Sequence, residues 1–527
     1  MNKYRVKTGA ALALALTLLL AGCSASNSDS GSTAAQAPTD GVLNIAMLGD
    51  LSDPPDPDVS YGDGLNIVNN VYEGLVRYSK GSSDLTVEPW LATSWTNSAD
   101  FKTWTFKLRD DVTFHDGTKF DSSAVAPAIE RRTKLGNGMA YTVADVAKVD
   151  TPDATTAVIT LKEPNSSFLN IMASPFGIRF ASPTGLTKNA GTDDAQTYLR
   201  THDLGSGPYE LTSVEAAVGY KMDYADSWWG TKPTFTTINY KVLNDASSMQ
   251  LQYDNGEIDI ILQGLTGAAF ADYKTRKSST TYSLPILQVE MMRLNPKSGP
   301  FTDPAFMQAF RNAIDSKTLA TQLWNGAVTP ATTIYGQNFL PEADSKQNVS
   351  YDPSELETMI KALPADQKTI TIAYRAASDL DAQLVNIVAA QMQGYGLTVK
   401  IFASPSGVEY DWASDLESAP GVFFAATYPD GQDPYLWAQL YWPTTAPLNT
   451  FACTDPFIDK NLPIALSTGD EDLYAQIGQK ADEMGCWTNL EYLSDFMVAP
   501  TWMTGVKESH DFTAPGYLDF TTLGTKA

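Results

Sequence analysis

Apolar and polar residues follow regular periods in the first part of the chain. Residues 42–47 (VLNIAM) form a short apolar run, which is typical of a buried strand. Apolar residues then recur at helical spacing, at Leu65, Val68, Val71, Tyr72, Leu75 and Val76. The proline-rich segment 49–57 lies between them. Because α/β proteins bind ligands at sheet edges, this loop is a candidate for ligand contact, and a plain connection is the alternative.

Period-two alternation marks the next segment as strands. Trp104, Phe106 and Leu108 alternate with polar residues, as on a half-buried strand. Helical periodicity is poor here apart from residues 122–132. We therefore expect residues 79–202 to form a strand-rich unit.

The second half of the chain alternates strands and helices. Residues 369–374 (TITIAY) predict a strand, and Ser378 can cap a helix that Gly394 and Gly396 end. Residues 397–402 predict another strand. A strand, a helix and a strand of this length predict a right-handed parallel crossover.

Another helix is predicted to begin at Asp303, because Pro304 follows it at the first helical position. Its apolar face would carry Phe306, Phe310, Ile314 and Leu323. Together with the crossover, this pattern predicts the α/β class.

The N-terminus has the pattern of an export signal. Three basic residues precede an apolar run, residues 10–20, which is shorter than the about 20 residues that span a bilayer. Residues 1–22 therefore predict a signal peptide. The segment also resembles a bacterial lipobox, which implies that Cys23 is lipidated and anchors an extracytoplasmic protein to the outer face of the cell membrane. An incidental cysteine is the alternative. Residues 23–40 are small and polar and predict a flexible tether.

Composition narrows the class of protein. A chain of 527 residues predicts two or three domains. Acidic residues outnumber basic ones by 61 to 36, and the net charge of −25 argues against nucleic-acid binding. The sequence carries no phosphate-binding glycine loop, catalytic elbow or zinc motif, and its three histidines are far apart. We therefore expect no cofactor, no metal site and no catalytic centre.

Two cysteines remain if Cys23 carries a lipid. Cys453 and Cys486 would then lie in an oxidising compartment, which favours a disulfide between them. Two free buried thiols are the alternative.

Several segments, in order, resemble the extracytoplasmic solute-binding lipoproteins of the peptide/nickel class, bacterial solute-binding protein family 5, which serve ABC importers. The most specific segments are EPWLATSW at 88–95 and WTFKLRDDVTFHDG at 104–117. Shorter ones are YEGLV at 72–76, GSGPY at 205–209 and GEIDI at 256–260. The ordered set covers nearly all of the mature chain. By this resemblance His115 is a structural turn residue.

The resemblance implies an α/β, periplasmic-binding-protein-like fold of the class II type, in which two lobes close on a ligand beside an extra strand-rich domain. Two chain crossings near Leu287 and Phe496 would form the hinge. The implied boundaries are residues 42–78, 203–287 and 497–527 for lobe I, 79–202 for the additional domain, and 288–496 for lobe II. The resemblance also implies a monomer that docks on permease subunits.

Ligand contacts in this family cluster in the loop after the first strand, at the start of the second lobe, and in an aromatic-acidic segment of that lobe. The residues on those positions are Ser52, Tyr61, Arg293, Asn295, Arg375, Thr427, Tyr428, Asp430, Asp433, Tyr435 and Trp437. Peptide binders usually carry an aspartate for the peptide's α-ammonium where this chain has Thr427. Asp430 or Asp433 could replace it, or could cap a turn.

By the same resemblance, Arg375 lies where some peptide binders place an arginine that faces the ligand's carboxylate. A guanidinium suits that group because it can donate two parallel hydrogen bonds. A surface salt bridge is the alternative. Tyr428, Tyr435 and Trp437 could stack on a ligand or pack in the core.

Three functions follow from these observations. The first is an importer's receptor for an oligopeptide or a peptide-like solute. The second is the same receptor for an oligosaccharide or a metal chelate, such as a siderophore or a nickel complex. The third is a cell-surface hydrolase, which the missing catalytic motifs disfavour.

Overall fold

The computed structural model describes residues 37–526. The predicted signal peptide and Cys23 lie outside this range. The strands are β1 Val42–Leu48, β2 Val76–Tyr78, β3 Val87–Pro89, β4 Ala92–Asn97, β5 Thr103–Leu108, β6 Val146–Asp153, β7 Thr156–Leu161, β8 Tyr209–Glu215, β9 Gly219–Tyr224, β10 Thr237–Leu243, β11 Ser279–Leu294, β12 Thr329–Pro330, β13 Thr369–Arg375, β14 Thr398–Ser404, β15 Val422–Thr427, β16 Trp487–Pro500, β17 Met503–Thr504 and β18 Gly524–Thr525.

The helices are α1 Leu65–Val71, α2 Val125–Leu135, α3 Phe168–Ala173, α4 Pro183–Lys188, α5 Gln196–Leu199, α6 Ala246–Asp254, α7 Gly267–Tyr273, α8 Pro304–Asn312, α9 Ser316–Trp324, α10 Glu342–Ser345, α11 Ser354–Ala362, α12 Asp379–Gly394, α13 Pro434–Tyr441, α14 Pro456–Thr468, α15 Glu471–Met484 and α16 Val506–Ser509. None of the helices within residues 37–526 is long and apolar enough to cross a bilayer.

Three sheets organise the molecule. We call lobe I the unit built on the sheet β1-β10-β9-β8, and lobe II the unit built on the sheet β12-β16-β11-β15-β13-β14. The sheet β4-β5-β7-β6 belongs to the additional domain. The chain has a two-lobe α/β architecture with a third sheet beside it. The lobe I sheet and the additional domain have clusters of their own, and the large lobe II cluster also includes Ala46 of β1 and Leu243 of β10.

Two long strands run from one lobe to the other. β11 and β16 pair antiparallel from Ser279 opposite Pro500 to Arg293 opposite Trp487. One end of β11 packs in the lobe I cluster and the other end packs in the lobe II cluster. Phe270 of α7 stacks on Phe496 with 4.8 Å between the ring centroids, so the lobe II cluster also reaches α7. The domain boundaries drawn from the sequence stay a prediction.

The structure confirms the strand–helix–strand crossover. β13 and β14 are parallel, with Thr369 opposite Thr398. The Ser378 side chain accepts a hydrogen bond from the Asp381 amide and so caps α12. Gly396 follows this helix with a φ of 105°, a conformation that glycine adopts without strain.

Two helices are shorter than the sequence predicts. α1 ends at Val71, and Tyr72 is already extended (φ −116°, ψ 149°). Leu75 is buried in the core of the additional domain, whereas Val71 is buried in the core of lobe I. The apolar spacing there therefore covers two elements that pack in different cores. The helix expected to reach residue 323 is interrupted after Asn312, because Asp315 caps a new helix by accepting a hydrogen bond from the Thr318 amide.

Candidate ligand-binding cleft

The carboxyl ends of β13 and β15 bring the candidate residues of lobe II to one sheet edge. The two strands are parallel, with Ala373 opposite Phe423, and Arg293 of β11 also lies opposite Phe423. Because side chains alternate along a strand, Arg293, Arg375 and Thr427 lie on the same face of the sheet. Two guanidinium groups therefore share that face.

Arg375 forms an ion pair with a buried carboxylate. Its Nε lies 3.0 Å from Oε1 of Glu409, and Nη1 donates to the carbonyl of Ala426 at 3.3 Å. The Arg375 side chain is 33% exposed, whereas that of Glu409 is 3% exposed. A salt bridge was the alternative to ligand binding that the sequence left open. This one uses Nε of Arg375, and the rest of the guanidinium remains partly accessible.

Arg293 is the most deeply buried cation of this face. It is 2% exposed, and its Nε and Nη2 have no acceptor within the described residues 37–526. The guanidinium carbon lies 5.3 Å from the ring centroid of Phe423 and 5.7 Å from that of Tyr441. Burial lowers the pKa of Arg293 to about 10. Burial also raises the pKa of nearby Glu290 well above its usual range. Neither carboxyl oxygen of Glu290 has a hydrogen-bond partner within residues 37–526, so Glu290 and Arg293 are not hydrogen-bonded to each other.

The loop after β15 makes contacts across the cleft. Asp430 accepts a hydrogen bond from the Tyr61 hydroxyl at 3.0 Å on Oδ1 and one from the Tyr141 hydroxyl on Oδ2. Phe176 lies 4.9 Å from Tyr61 and stacks on Tyr428 at 6.3 Å between centroids. We call Tyr61, Tyr141 and Asp430 the interlobe latch. Each Asp430 oxygen thus accepts one tyrosine hydroxyl, and the residue is 4% exposed, so a ligand's ammonium does not reach this carboxyl in the arrangement seen here.

Asp433 caps a helix and ties it to the additional domain. Its carboxylate accepts the Tyr435 amide at 2.9 Å, the Ser167 hydroxyl at 2.8 Å and the Asn170 amide group at 2.8 Å. The Thr427 hydroxyl is hydrogen-bonded to the Tyr441 hydroxyl. These contacts match a structural role for Asp433.

Other sequence candidates lie outside this constellation. Asn295 is fully buried and donates to the carbonyls of Leu416 at 2.7 Å and Pro420 at 3.2 Å. Trp437 is also fully buried, in the lobe II core. Ser52 is exposed on the loop after β1. A ligand role for these residues stays a prediction.

Sequence reasoning missed Tyr141, Phe176 and Glu290. The first two come from the region between β5 and α4, far along the chain from both lobes' motifs. Glu290 lies within β11, and the sequence does not distinguish it from an ordinary polar residue of a strand. Only the folded arrangement places them beside Tyr428 and Arg293.

Cys453 and Cys486 form a disulfide in the structure, with 6.5 Å between their Cα atoms. His115 is buried between Asp203 and the carbonyl of Gly207, which its Nε2 approaches to 3.0 Å. Within residues 37–526 no group of three or more His, Cys, Asp or Glu side chains converges as a metal cluster.

Two lobes joined by paired strands, with aromatic and charged side chains meeting between them, define a solute-binding protein of the two-lobe class. The sequence profile of the bacterial extracellular solute-binding proteins, family 5 Middle, matches residues 86–447, which is more than half of the chain. The chain belongs to this family, whose members serve ABC importers of peptides and nickel and act outside the cytoplasm. This confirms the resemblance drawn from the sequence segments.

Individual relatives are similar over most of the chain. The nickel-binding periplasmic protein of Escherichia coli K12 is 26% identical over 457 residues, covering 81% of this chain and 85% of the relative. The probable D,D-dipeptide-binding periplasmic protein DdpA of the same organism is 26% identical over 456 residues, covering 84% and 86%. NikA from Brucella suis, solved with Fe(III)-EDTA, superposes with a TM-score of 0.80 at 24% identity, covering 92% of this chain and all of NikA. This last likeness shows the shared two-lobe fold.

Proposed function

We propose that this protein captures an organic solute carrying a carboxylate, an oligopeptide or a peptide-like compound, and delivers it unaltered to the permease of an ABC importer. The observation that carries the proposal is Arg293, a buried guanidinium whose Nε and Nη2 have no hydrogen-bond acceptor within the described residues. Arg375 on the same sheet face adds a second cation.

The energetic argument rests on the cost of burying a charge. An ionised group taken out of water without a partner is strongly destabilising, so such groups are normally paired. A ligand carboxylate beside Arg293 would supply the missing acceptor through a charge-assisted hydrogen bond. Phe176 and Tyr428, which stack across the cleft, would enclose the remainder of the solute.

A metal chelate is the second candidate, and the same arginines favour it. Chelators such as EDTA hold metals through carboxylates, so a chelate could present free carboxylate oxygens to Arg293 and Arg375. The relatives include a protein named as nickel-binding and a NikA structure with Fe(III)-EDTA. An oligosaccharide would use the stacked aromatic rings and leave Nε and Nη2 of Arg293 without an acceptor.

We further propose that the mature protein is a monomeric lipoprotein held at the outer face of the cell membrane through Cys23. Two or more acyl chains hold a folded domain at a membrane because each buried methylene contributes about 0.8 kcal/mol. The Cys23→Ser variant should appear in the medium, whereas Ser24→Ala should stay in the membrane fraction. A Cys23→Ser protein that remains with the membranes would contradict lipidation.

A thermal-shift panel on the mature protein tests the ligand class. The panel contains oligopeptides with a free C-terminal carboxylate, the same peptides amidated, an oligosaccharide and Fe(III)-EDTA. Binding at a hundredfold excess over Kd stabilises the folded state by about 2.7 kcal/mol, which is readily measured. We expect the free-acid peptides to raise the melting temperature more than the amidated ones.

Each outcome decides between the candidates. Equal shifts for free and amidated peptides would remove the carboxylate contact from the proposal. A shift with Fe(III)-EDTA alone would assign the chelate, and one with the oligosaccharide alone would overturn both. If a bound compound were recovered as cleavage products, the receptor role itself would be wrong.

A further inference from the structure

A cavity of about 550 Å³ lies between α1, β2 and the C-terminal segment on one side and the segments around Trp90 and Arg179 on the other. Its volume falls within the range of roughly 300–1,000 Å³ that small-molecule sites occupy. None of its lining residues belongs to the candidate cleft between the lobes. The proposed function gives this cavity no role.

The cavity is lined by more basic than acidic residues, which is the opposite of the charge balance of the whole chain. Acidic residues greatly outnumber basic ones in the whole sequence, 61 to 36. In this cavity four basic residues meet only two acidic ones, Asp511 and Asp519. The basic residues are Arg77, Lys80, Arg109 and Arg179. A local excess of positive charge in so acidic a protein favours a negatively charged occupant.

Three of these cations already have acidic partners. Arg77 Nη1 lies 3.4 Å from Asp519, and Lys80 is paired with Asp511. Arg109 pairs with an aspartate outside the cavity, Asp111, at 2.7 Å. Of the four cations, Arg179 is therefore the one without an acidic partner among the described residues.

Arg179 has no carboxylate among its hydrogen-bond partners in the part of the chain that the structure describes. Its Nε donates to Oδ1 of Asn69 at 2.8 Å, and its Nη2 donates to the carbonyl of Ser174 at 2.9 Å. Burial, together with the positive charge of Arg132, lowers the pKa of Arg179 to about 9. The residue is 3% exposed and remains charged at neutral pH.

The unmet hydrogen-bonding groups at the cavity are donors. Asn69 is 6% exposed, and its Nδ2 has no acceptor within residues 37–526. Because its Oδ1 accepts from Arg179, the amide orientation is fixed and Nδ2 is the free donor. Arg77 Nε is likewise buried without an acceptor there. Both atoms lie beneath the wall of the cavity, since each has less than 1 Å² of accessible surface, and both are donors, so this wall contributes N–H groups and no unmet acceptor.

Aromatic faces complete the site. The Arg109 guanidinium lies 3.7 Å from the ring centroid of Trp229. The guanidinium of Arg179 lies 5.0 Å from the ring of Trp90, and that of Arg77 lies 5.8 Å from it. Stacking of this kind holds a guanidinium in one plane, which suits the recognition of planar oxyanions.

We propose that this cavity is a second ligand site, separate from the cleft, and that it binds a small organic oxyanion, a carboxylate or a phosphate. The oxygen atoms of the anion lie among the guanidinium groups of Arg77, Arg109 and Arg179, and its carbon skeleton lies near Trp90 and Trp229. Such a ligand joins segments that are far apart in the sequence, so its binding stabilises lobe I against the additional domain.

Calorimetric titration of the mature protein with citrate and, separately, with inorganic phosphate tests the site, with sodium chloride at equal ionic strength as the reference. We expect saturable one-to-one binding of citrate, phosphate or both. Binding of citrate alone assigns a carboxylate, and binding of phosphate alone assigns a phosphate. No saturation with either anion overturns the proposal, because water then satisfies the unpaired donors.

Two arginine variants separate this cavity from general charge effects. Arg77→Gln should weaken the bound anion by at least about tenfold. Arg276→Gln is a matched control, since Arg276 is also paired with an aspartate and both side chains are 34% exposed. It should leave the anion affinity unchanged. If Arg77→Gln bound the anion as tightly as the wild type, the anion would bind outside this cavity. The same would follow if Arg77→Gln and Arg276→Gln lost equal affinity.

Arg109→Gln provides a second variant if Arg77→Gln fails to fold, as judged by circular dichroism. Its side chain is 24% exposed, so the substitution should be tolerated. Because Arg77 and Arg109 are outside the cleft, a peptide or chelate bound there should keep its affinity in both variants. Failure of the anion to bind this cavity would therefore leave the proposed function in place. Failure of a ligand to bind the cleft would likewise leave the cavity proposal in place.

Discussion

Replacing Tyr141 by phenylalanine should weaken the closed state of the protein. The Tyr141 hydroxyl donates to Oδ2 of Asp430 across the two parts of the molecule, while Tyr61 donates to Oδ1 at 3.0 Å. Asp430 is 4% exposed, so water cannot freely replace a lost donor while the lobes are closed. Opening the lobes would let water solvate the carboxylate. The variant therefore favours opening.

The magnitude follows from the charge of the acceptor. A hydrogen bond to an ionised group contributes about 1.5–3 kcal/mol. Its loss should shift the equilibrium between the closed and open forms by roughly 10- to 150-fold. If the ligand binds the closed form, its apparent Kd rises by up to the same factor, since only the closed fraction is competent.

Two measurements on the same samples check this prediction. Small-angle X-ray scattering of the unliganded protein should give a larger radius of gyration for Tyr141→Phe than for the wild type. Calorimetry with a ligand found in the panel should give weaker binding. Tyr351→Phe is the control, because Tyr351 is 52% exposed and its hydroxyl lies 3.3 Å from Tyr395 within lobe II.

A double-mutant cycle isolates the pair. In the Asp430→Ala background the acceptor is already gone, so Tyr141→Phe should have no further effect. If Tyr141→Phe scatters and binds like the wild type, the hydrogen bonds to Asp430 do not hold the lobes together. An equal effect of Tyr141→Phe in both backgrounds would assign its role to packing.

Three further predictions follow. Arg375→Ala should weaken a carboxylate ligand by about 1.5–3 kcal/mol in calorimetry, and an unchanged affinity would remove Arg375 from the site. Burial and repulsion from Asp315 raise the pKa of Glu491 to about 9. The folded state therefore holds a proton that the unfolded chain loses above about pH 4.5, so stability falls as pH rises to about 9, by up to about 1.4 kcal/mol per pH unit. Glu491→Gln should thus gain in melting temperature over the wild type as pH rises, whereas Glu355→Gln, at an exposed position, should not, and parallel curves would contradict this. Reduction of the disulfide between Cys453 and Cys486, which are 33 residues apart, should lower the free energy of unfolding by about 4 kcal/mol in a denaturant titration. Reduction should also raise the mass by that of two hydrogens, and an unchanged mass would mean free thiols.

Local signals in the sequence predicted individual elements well. The Ser378 cap, the apolar spacing of α12 and the glycines after it are contained within about one helix length, so neighbouring residues decide them. The motif segments, taken in order, identified the family and with it the two-lobe fold. The same local reasoning failed at residues 71–76 and 313–315, because apolar spacing does not reveal when the chain changes from one core to another.

The sequence alone determined the class of protein and the chain segments from which a ligand site could be built, and it predicts an export signal. Only the tertiary structure paired Arg375 with Glu409, buried Nε and Nη2 of Arg293 without an acceptor among the described residues, and brought Tyr61 and Tyr141 to Asp430 from 369 and 289 residues away. Contacts of that separation depend on how the lobes close and on which polar groups that closure removes from water. No periodicity or motif of a single segment carries this information.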